Sequence, residues 1–501
     1  MRSKAAVAAT IAAFAASLTS SACASRAAHP PSSNPAAAAQ PAGGALAADL
    51  DAILNDPVLS HGTWAVMAKS LSTGDTLYAR NERKLLLPAS NMKIVTLAAA
   101  AERLGWDYTY TTRLVAAGRV ENGTLAGDLV VVGSGDPSIG FVDGSADRVF
   151  GEWADRLKQM GVRTVTGRII GDDNAFEDLE LGFGWSWDDL ADDYAAGVGA
   201  LQLNENAVRV IITAGAHVGD AAGAVVEPPG SGVEIVCTAS TVAAGAGNAL
   251  TANRLPGSQR LRVGGTIALG GSSTLDVSVD NPTAFFVRTL RTALIAHGID
   301  VRGDAVDIDD ITDPPAGGTT VDTHRSPPLA TLGVRLMKIS QNQYAETFLK
   351  TLTATSGAAA NAFGARAVEN EIFDRWGVHP GGLIVRDGSG LSRYDFVTAD
   401  ALVTILAHVY HDARLRAPFE ATLPVAGEDG TLGNRLKATA AAGNVRAKTG
   451  SMTGVRTMSG YLTSAGGEPI VFAILANNFE TGADVVNKAA DAIVLRLIDK
   501  R

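Results

Sequence analysis

Ser90-Asn91-Met92-Lys93, Ser340-Gln341-Asn342 and Lys448-Thr449-Gly450 occur in that order along the chain. Together they spell a serine acyl-transfer site: a hydroxyl nucleophile, an amine to take its proton, a second hydroxyl with an amide, and a cationic strand. Positions i and i+3 share a helix face, so Lys93 can bring its amine within reach of the Ser90 hydroxyl. A free lysine titrates near ~10.4 and is a poor base at neutral pH. Lys93 therefore needs burial or a neighbouring cation, and Lys448 is the obvious cation. Ser340, with Asn342 two residues on, can relay a proton to a departing amine. Lys448 and Thr449 suit recognition of a substrate carboxylate, while Gly450 lets the substrate backbone approach closely. The N–H groups of Ser90 and Ser451 are the expected oxyanion-hole donors, and the helix N-terminus adds positive potential beside Ser90. Order and context carry the weight, because Ser32-Ser33-Asn34 in a Pro/Ala-rich stretch repeats the Ser-x-Asn pattern with no chemistry expected of it.

The elements that must position these residues follow from pattern. Residues 90–104, rich in Ala, Leu and Val, predict a helix entered after Pro88 and closed by Gly105. Ahead of it, a helix over 46–54 leads to alternating stretches at 63–68 and 75–79, joined by Ser72-Thr73-Gly74-Asp75 as a hairpin. Between 112 and 322 the texture is short β-like runs broken by turns such as Glu121-Asn122-Gly123 and Gly171-Asp172-Asp173, with helices predicted at 146–160 and 282–297. After Pro327-Pro328 the pattern predicts helices at 329–350 and 358–376, strands at 445–448, 457–462 and 470–476, and a last helix at 483–498. The fold class is α/β: an antiparallel sheet flanked by helices plus a helical subdomain, split into 46–113 and 322–501. β-rich domains over 114–321 are inserted between the first and second motifs.

The chain has 501 residues, 46% hydrophobic and 19% charged, which describes a globular protein with ample core. Its net charge of -10, without any Lys/Arg-dense run, excludes the electrostatic footprint of a nucleic-acid binder. Arg2 and Lys4 precede a 14-residue apolar run over 5–18, too short to span a bilayer but suited to a secretory leader. Residues 1–24 are read as that signal peptide and 25–45 as a flexible Pro/Ala linker. Ala22-Cys23-Ala24 is a small-x-small cleavage site, and Cys23 also ends a degenerate lipobox, so a lipid anchor there stays open. The expected destination is the periplasm or cell surface, with no transmembrane helix in the mature chain. Only Cys237 falls in the folded part, as a small buried hydrophobe, so no intramolecular disulfide is expected. His408 and His411 lack a third ligand nearby, and Asp172-Asp173 and Asp307, Asp309 and Asp310 read as loop carboxylates. No metal and no cofactor is expected.

Further segments are Leu87-Pro88-Ala89-Ser90, Gly133-Ser134-Gly135-Asp136-Pro137, Gly184-Trp185-Ser186-Trp187-Asp188-Asp189, Leu201-Gln202-Leu203-Asn204-Glu205-Asn206 and Asp387-Gly388-Ser389-Gly390-Leu391-Ser392. The motif gaps are 250 residues from Ser90 to Ser340 and 108 from Ser340 to Lys448. On these segments and gaps the chain resembles penicillin-binding proteins of the D-alanyl-D-alanine carboxypeptidase/endopeptidase type, class C, the S13 serine peptidases. The resemblance implies a transpeptidase-like domain in which Ser90 is the acyl-enzyme nucleophile and Lys93 the proton acceptor, with Ser340 and Lys448 completing the site. It implies peptidoglycan stem peptides and cross-links as substrates and β-lactams as covalent inhibitors. It also implies that Asp189 reaches over the cleft to a free amino group of the stem peptide, against the alternative that Asp188, Asp189, Asp192 and Asp193 form a solvated loop. Asp136-Pro137 and Gly388-Ser389-Gly390 read as scaffold turns, and Ser389 is not expected to be a second nucleophile. Two alternatives stay open: a β-lactamase or esterase that deacylates quickly, and a non-catalytic wall-binding penicillin sensor. Carboxypeptidase and endopeptidase action are not separated by the sequence.

Overall fold

A computed structural model describes residues 44–354 and 359–501. The expected leader, linker, Cys23 and Ser32-Ser33-Asn34 lie outside the described residues.

Strict alternation of side chains builds the central sheet. In strand Thr63–Ser70, Trp64, Val66 and Ala68 face one apolar cluster while Ala65 and Met67 face another. Strand Pro469–Asn477 does the same, with Ile470, Phe472, Ile474 and Ala476 on one face and Val471, Ala473 and Leu475 on the other. These strands lie at the middle of a five-stranded antiparallel sheet ordered Arg446–Met452, Val455–Thr463, Pro469–Asn477, Thr63–Ser70, Thr76–Arg80. Helices Gly44–Leu54 and Ala483–Ile498 cover the first face through Leu50, Leu54, Val486, Ile493 and Leu497. The second face carries the helical layer, where Met92–Leu104 is central and buries residues around almost its whole circumference. Its run Ala98 to Ala101 is wholly interior, small side chains letting the surrounding helices close in.

Between these two stretches the chain builds the inserted part. A hairpin of Thr111–Glu121 and Thr124–Val132 turns at Asn122-Gly123 and anchors a seven-stranded sheet, backed by helices Ser145–Gln159 and Pro282–Ala296. Two smaller sheets, of three and four strands, sit beyond it around Val210, Ile212, Leu261, Val263 and Ile267. Half-buried Cys237 packs against this last cluster. The excursion leaves and returns at one place: Thr111 pairs with Arg325 and Thr112 with His324, and the Tyr110 N–H donates to Ser326 Oγ at 2.9 Å.

The helix expected over 329–350 is two helices, Leu329–Lys338 and Asn342–Thr351. Ser340 stands between them in left-handed backbone (φ 65°), a conformation that ends a helix. The helix expected over 358–376 runs Ala362–Arg375, opened by Asn361, whose Oδ1 accepts the Gly364 N–H at 2.7 Å. Ser90 belongs to a single 3₁₀ turn, Ala89–Asn91, with the α-helix starting at Met92.

Candidate active site

The turn Ala89–Asn91 sets Ser90 at the N-terminal end of the central helix, and Lys93 follows one turn on. Lys93 is fully buried, and its Nζ donates to Ser90 Oγ at 3.0 Å, Asn342 Oδ1 at 2.6 Å and the Ser389 carbonyl at 2.8 Å. Two of the three motifs are thereby joined at one nitrogen. Burial lowers the Lys93 pKa to about 7, against the opposing pull of the Asp387 and Glu346 carboxylates. Lys448, also fully buried, donates to Ser340 Oγ at 2.9 Å and to the Thr449 carbonyl at 2.7 Å. Its pKa is held well below the usual lysine range by burial and then by the charge of Lys93. Of the two causes expected for a depressed Lys93, burial or a neighbouring cation, burial is the larger, and the two buried ammonium groups disfavour each other's charge.

Strand Arg446–Met452 is the sheet edge that passes this turn. Thr449 Oγ1 donates to Thr431 Oγ1 at 2.6 Å, and Thr457 Oγ1 on the neighbouring strand donates to the Pro88 carbonyl at 2.8 Å. A Cβ on Gly450 would lie 2.2 Å from Thr457 Oγ1 and 2.9 Å from Ser90 N, so only glycine lets the edge strand pass this close to the serine. Ser451 follows on the same strand, exposed.

Asp189 is not adjacent to Ser90 but is linked to it. The Tyr194 hydroxyl lies 2.8 Å from both Asp189 Oδ1 and Asp192 Oδ2, and the Tyr194 carbonyl accepts from Asn342 Nδ2 at 2.7 Å. The inserted part therefore meets the second motif directly, bringing two carboxylates that share one phenol proton.

Behind Lys93 lies a set of buried carboxyl groups, of which only Asp387 stands in a segment singled out in the sequence. Glu346, one turn beyond Asn342, accepts the N–H groups of Gly388 (3.0 Å) and Ser389 (2.8 Å). Burial, and then Asp387, push its pKa up to about 7. Asp387 accepts the N–H groups of Gly390 at 2.7 Å and Ser392 at 2.6 Å and the Trp185 indole N–H of the inserted part at 2.8 Å. Asp387-Gly-Ser-Gly is thus more than a scaffold turn: it presents the Ser389 carbonyl to Lys93, with the Ser389 hydroxyl facing Asp387 at 3.3 Å. Gly390 (φ 82°) is required there, since a Cβ would fall 1.9 Å from the Ala89 carbonyl. Position i+4 from Asn342 was the available signal for Glu346.

Glu369 is deeper still. Both carboxyl oxygens lack a hydrogen-bond partner among the described residues, and burial followed by Glu346 pushes its pKa from 4.5 up to about 8. The raised value means that its proton stabilises the fold fully below about pH 4.5, and that this contribution is lost as pH climbs through about 8. Glu369→Gln, neutral throughout, is expected to raise Tm by about 3 °C or more at alkaline pH with little change in mild acid. Thermal unfolding of both proteins across pH checks this, and parallel Tm curves would refute it.

Of the groups discounted earlier, His408 stacks on Trp376 (centroids 4.1 Å apart). Asp173, Asp307 and Asp309 are not independent loop carboxylates, since their oxygens approach within 4.8 Å of one another. Asp173 accepts the Thr283 hydroxyl at 2.6 Å and is pushed up to about 6, mainly by burial. Among the described residues no helix is long and apolar enough to cross a membrane.

Comparison with known proteins identifies the family. The D-Ala-D-Ala carboxypeptidase 3 (S13) family matches residues 46–500. The D-alanyl-D-alanine carboxypeptidase of Actinomadura sp. (strain R39) is 34% identical over 467 residues, 91% of this chain and 84% of that protein. Penicillin binding protein 4 (dacB) from Haemophilus influenzae shares the fold, with a TM-score of 0.79 at 24% identity over 90% of this chain and 99% of that one. A second structure of that protein, complexed with a β-lactam, matches with a TM-score of 0.73. On the match across nearly its whole described length, the chain belongs to the D-Ala-D-Ala carboxypeptidase 3 (S13) family and is a hydrolase.

Proposed function

We propose that the chain releases the terminal D-alanine from D-Ala-D-Ala ends of peptidoglycan stem peptides and hydrolyses D-alanyl cross-links, in both cases through an acyl-enzyme on Ser90. The observation that carries this is the buried Lys93 amine, with a pKa of about 7, 3.0 Å from Ser90 Oγ. At neutral pH a large fraction of the amine holds a lone pair, and the same contact then runs the other way, with Ser90 O–H donating to Nζ. Ser90 Oγ attacks the carbonyl of the penultimate D-Ala, Lys93 takes the proton, and the N–H groups of Ser90 and Ser451 receive the oxyanion. Ser340 hands a proton to the departing amine and is re-protonated by Lys448, which donates to its hydroxyl, while the proton on Lys93 is given up before the next turnover; Asn342 keeps the Lys93 head in place. Thr449, Ser451 and the Lys448 side of the edge strand take the terminal carboxylate, while Gly450 admits the substrate backbone. Asp189 receives the stem-peptide ammonium, with its carboxylate oriented by Tyr194. Water then attacks the acyl-enzyme and frees the product. β-Lactams, which present the same carbonyl and carboxylate, acylate Ser90 and leave slowly. The leader-like residues 1–24 support action in the periplasm or at the cell surface.

The test is to incubate residues 25–501 with penicillin and follow intact-protein and peptide mass, alongside D-Ala release from a D-Ala-D-Ala peptide. A stable adduct on the Ser90 peptide together with D-Ala release is expected. Hydrolysed drug without an adduct would replace this reading by a β-lactamase, and intact drug without an adduct by a non-catalytic binding protein.

A further inference from the structure

The segment Leu201 to Asn206 has so far been given no part in the chemistry, yet it is where the inserted part grips the break that carries Ser340. Asn204, Glu205 and Asn206 stand consecutively in left-handed backbone, with φ of 51°, 58° and 55°. Asparagine tolerates that conformation, whereas glutamate rarely adopts it. A glutamate held there is being aimed by its neighbours. Those neighbours fix the turn: Asn204 Oδ1 accepts the Phe141 N–H at 3.1 Å, and Asn206 Nδ2 donates to the Gly197 carbonyl at 2.8 Å.

The Glu205 carboxylate accepts from Arg335 Nε and, at Oε2, from Gln341 Nε2 at 2.6 Å. Arg335 is in the last turn of the helix before Ser340, and Gln341 is the residue after it. Gln341 in turn accepts the Gln343 N–H on its own Oε1 at 3.0 Å, capping the helix that begins at Asn342. Its amide thus bridges the two parts, with oxygen to the helix and nitrogen to Glu205. One turn further, Gln202 Nε2 donates to Thr347 Oγ1 at 3.0 Å, so the same segment holds the following turn as well. The Arg335 and Glu205 side chains are 40% and 24% exposed and line a cavity of about 230 Å³ with Asp143, Arg209 and Tyr344. A half-open ion pair of this kind contributes little to stability, so its placement calls for another explanation.

We propose that Glu205, from the inserted part, is a positioning residue that holds the Ser340–Asn342 break in its left-handed form against Lys448 and Lys93. The proposal rests on the Ser90 acyl-enzyme reading above. Glutamine in place of Glu205 offers one neutral acceptor oxygen where the carboxylate offers one to Arg335 and one to Gln341, so the clamp weakens, Ser340 is free to relax toward helix, and its hydroxyl leaves Lys448 Nζ. Glu205 is placed on the Ser340 side chain's support and not on the carboxylate subsite, so the loss falls on turnover and not on substrate affinity.

The experiment measures kcat and KM for D-Ala release, the penicillin adduct and Tm for the wild-type chain, Glu205→Gln, Gln341→Glu and the double exchange. Glu205→Gln is expected to lower kcat roughly 10-fold to 100-fold, with KM within about two-fold and Tm within about 3 °C. Gln341→Glu sets two carboxylates against each other and is expected to be similarly slow. The double exchange restores a carboxylate–amide pair and is expected to recover most of the loss. Wild-type kcat in Glu205→Gln, loss of fold in that variant, or a double exchange no faster than the slower single variant would each overturn the assignment. Absence of an adduct in the wild type would instead defeat the Ser90 reading itself, whereas a wild-type adduct with unaltered Glu205→Gln turnover defeats only the role of Glu205.

Discussion

Replacing Ser90 by alanine is expected to abolish the covalent penicillin adduct and to lower D-Ala release by about 10⁴-fold or more. The expectation follows from how few hydroxyls the base can reach. Among the described residues, Ser90 Oγ is the side-chain hydroxyl bonded to Lys93 Nζ, whereas the Ser340 hydroxyl is engaged by Lys448. Alanine leaves Lys93 its contacts to Asn342 and to the Ser389 carbonyl, so the pocket keeps its shape and substrate is still held. The loss should therefore appear in kcat, with KM little changed. Intact-protein mass after exposure to penicillin and a D-Ala release assay read both halves of this expectation. Adduct retained on the Ser90→Ala protein would move the nucleophile elsewhere, with Ser340 the first position to map.

Lys93→Arg is expected to cost roughly 10²–10⁴-fold in kcat and to erase the acidic limb of the pH profile. In the wild type that limb should lie near pH 7, activity rising as Lys93 surrenders its proton. The sign is fixed by the cause: burial disfavours the ammonium, so the neutral, basic amine is available far below the usual lysine range. A guanidinium cannot be deprotonated in a protein, and it keeps the positive charge and the donors that Asn342 and Ser389 require. Loss of charge is thereby separated from loss of basicity. The check is kcat/KM for D-Ala release between mildly acidic and alkaline pH in both proteins. An arginine variant with the wild-type limb would assign that limb to another group, Glu346 being the nearest alternative at about 7.

Much of this was legible in sequence because it is written in local pattern. The period-two strands at 63–68 and 470–476, the Asn122-Gly123 hairpin and the Ser90/Lys93 spacing each need only a few neighbouring residues to be read. The break at Ser340 was not legible, since Ile339 to Asn342 contains no glycine or proline. It is imposed from outside, by Lys448 on the Ser340 hydroxyl and Glu205 on Gln341. Glu346 escaped for a related reason, and Asp387 was named only within its segment: both look like ordinary surface carboxylates until the fold brings four backbone N–H groups onto them. Which of the two expected causes dominates at Lys93 was not legible, because charge can be counted in a sequence and depth cannot.

The paired strands at Thr111 and Arg325 give the long excursion adjoining ends. To the rest of the chain it is a loop of almost no span, and closing such a loop costs only about 0.6 kcal/mol more each time its length doubles. The cost of closing it therefore depends little on how much chain it carries. What reaches the motif-bearing segments is a short set of fingertips, Trp185 on Asp387, Tyr194 on Asn342 and Glu205 on Gln341, and at these the attachment touches the candidate site.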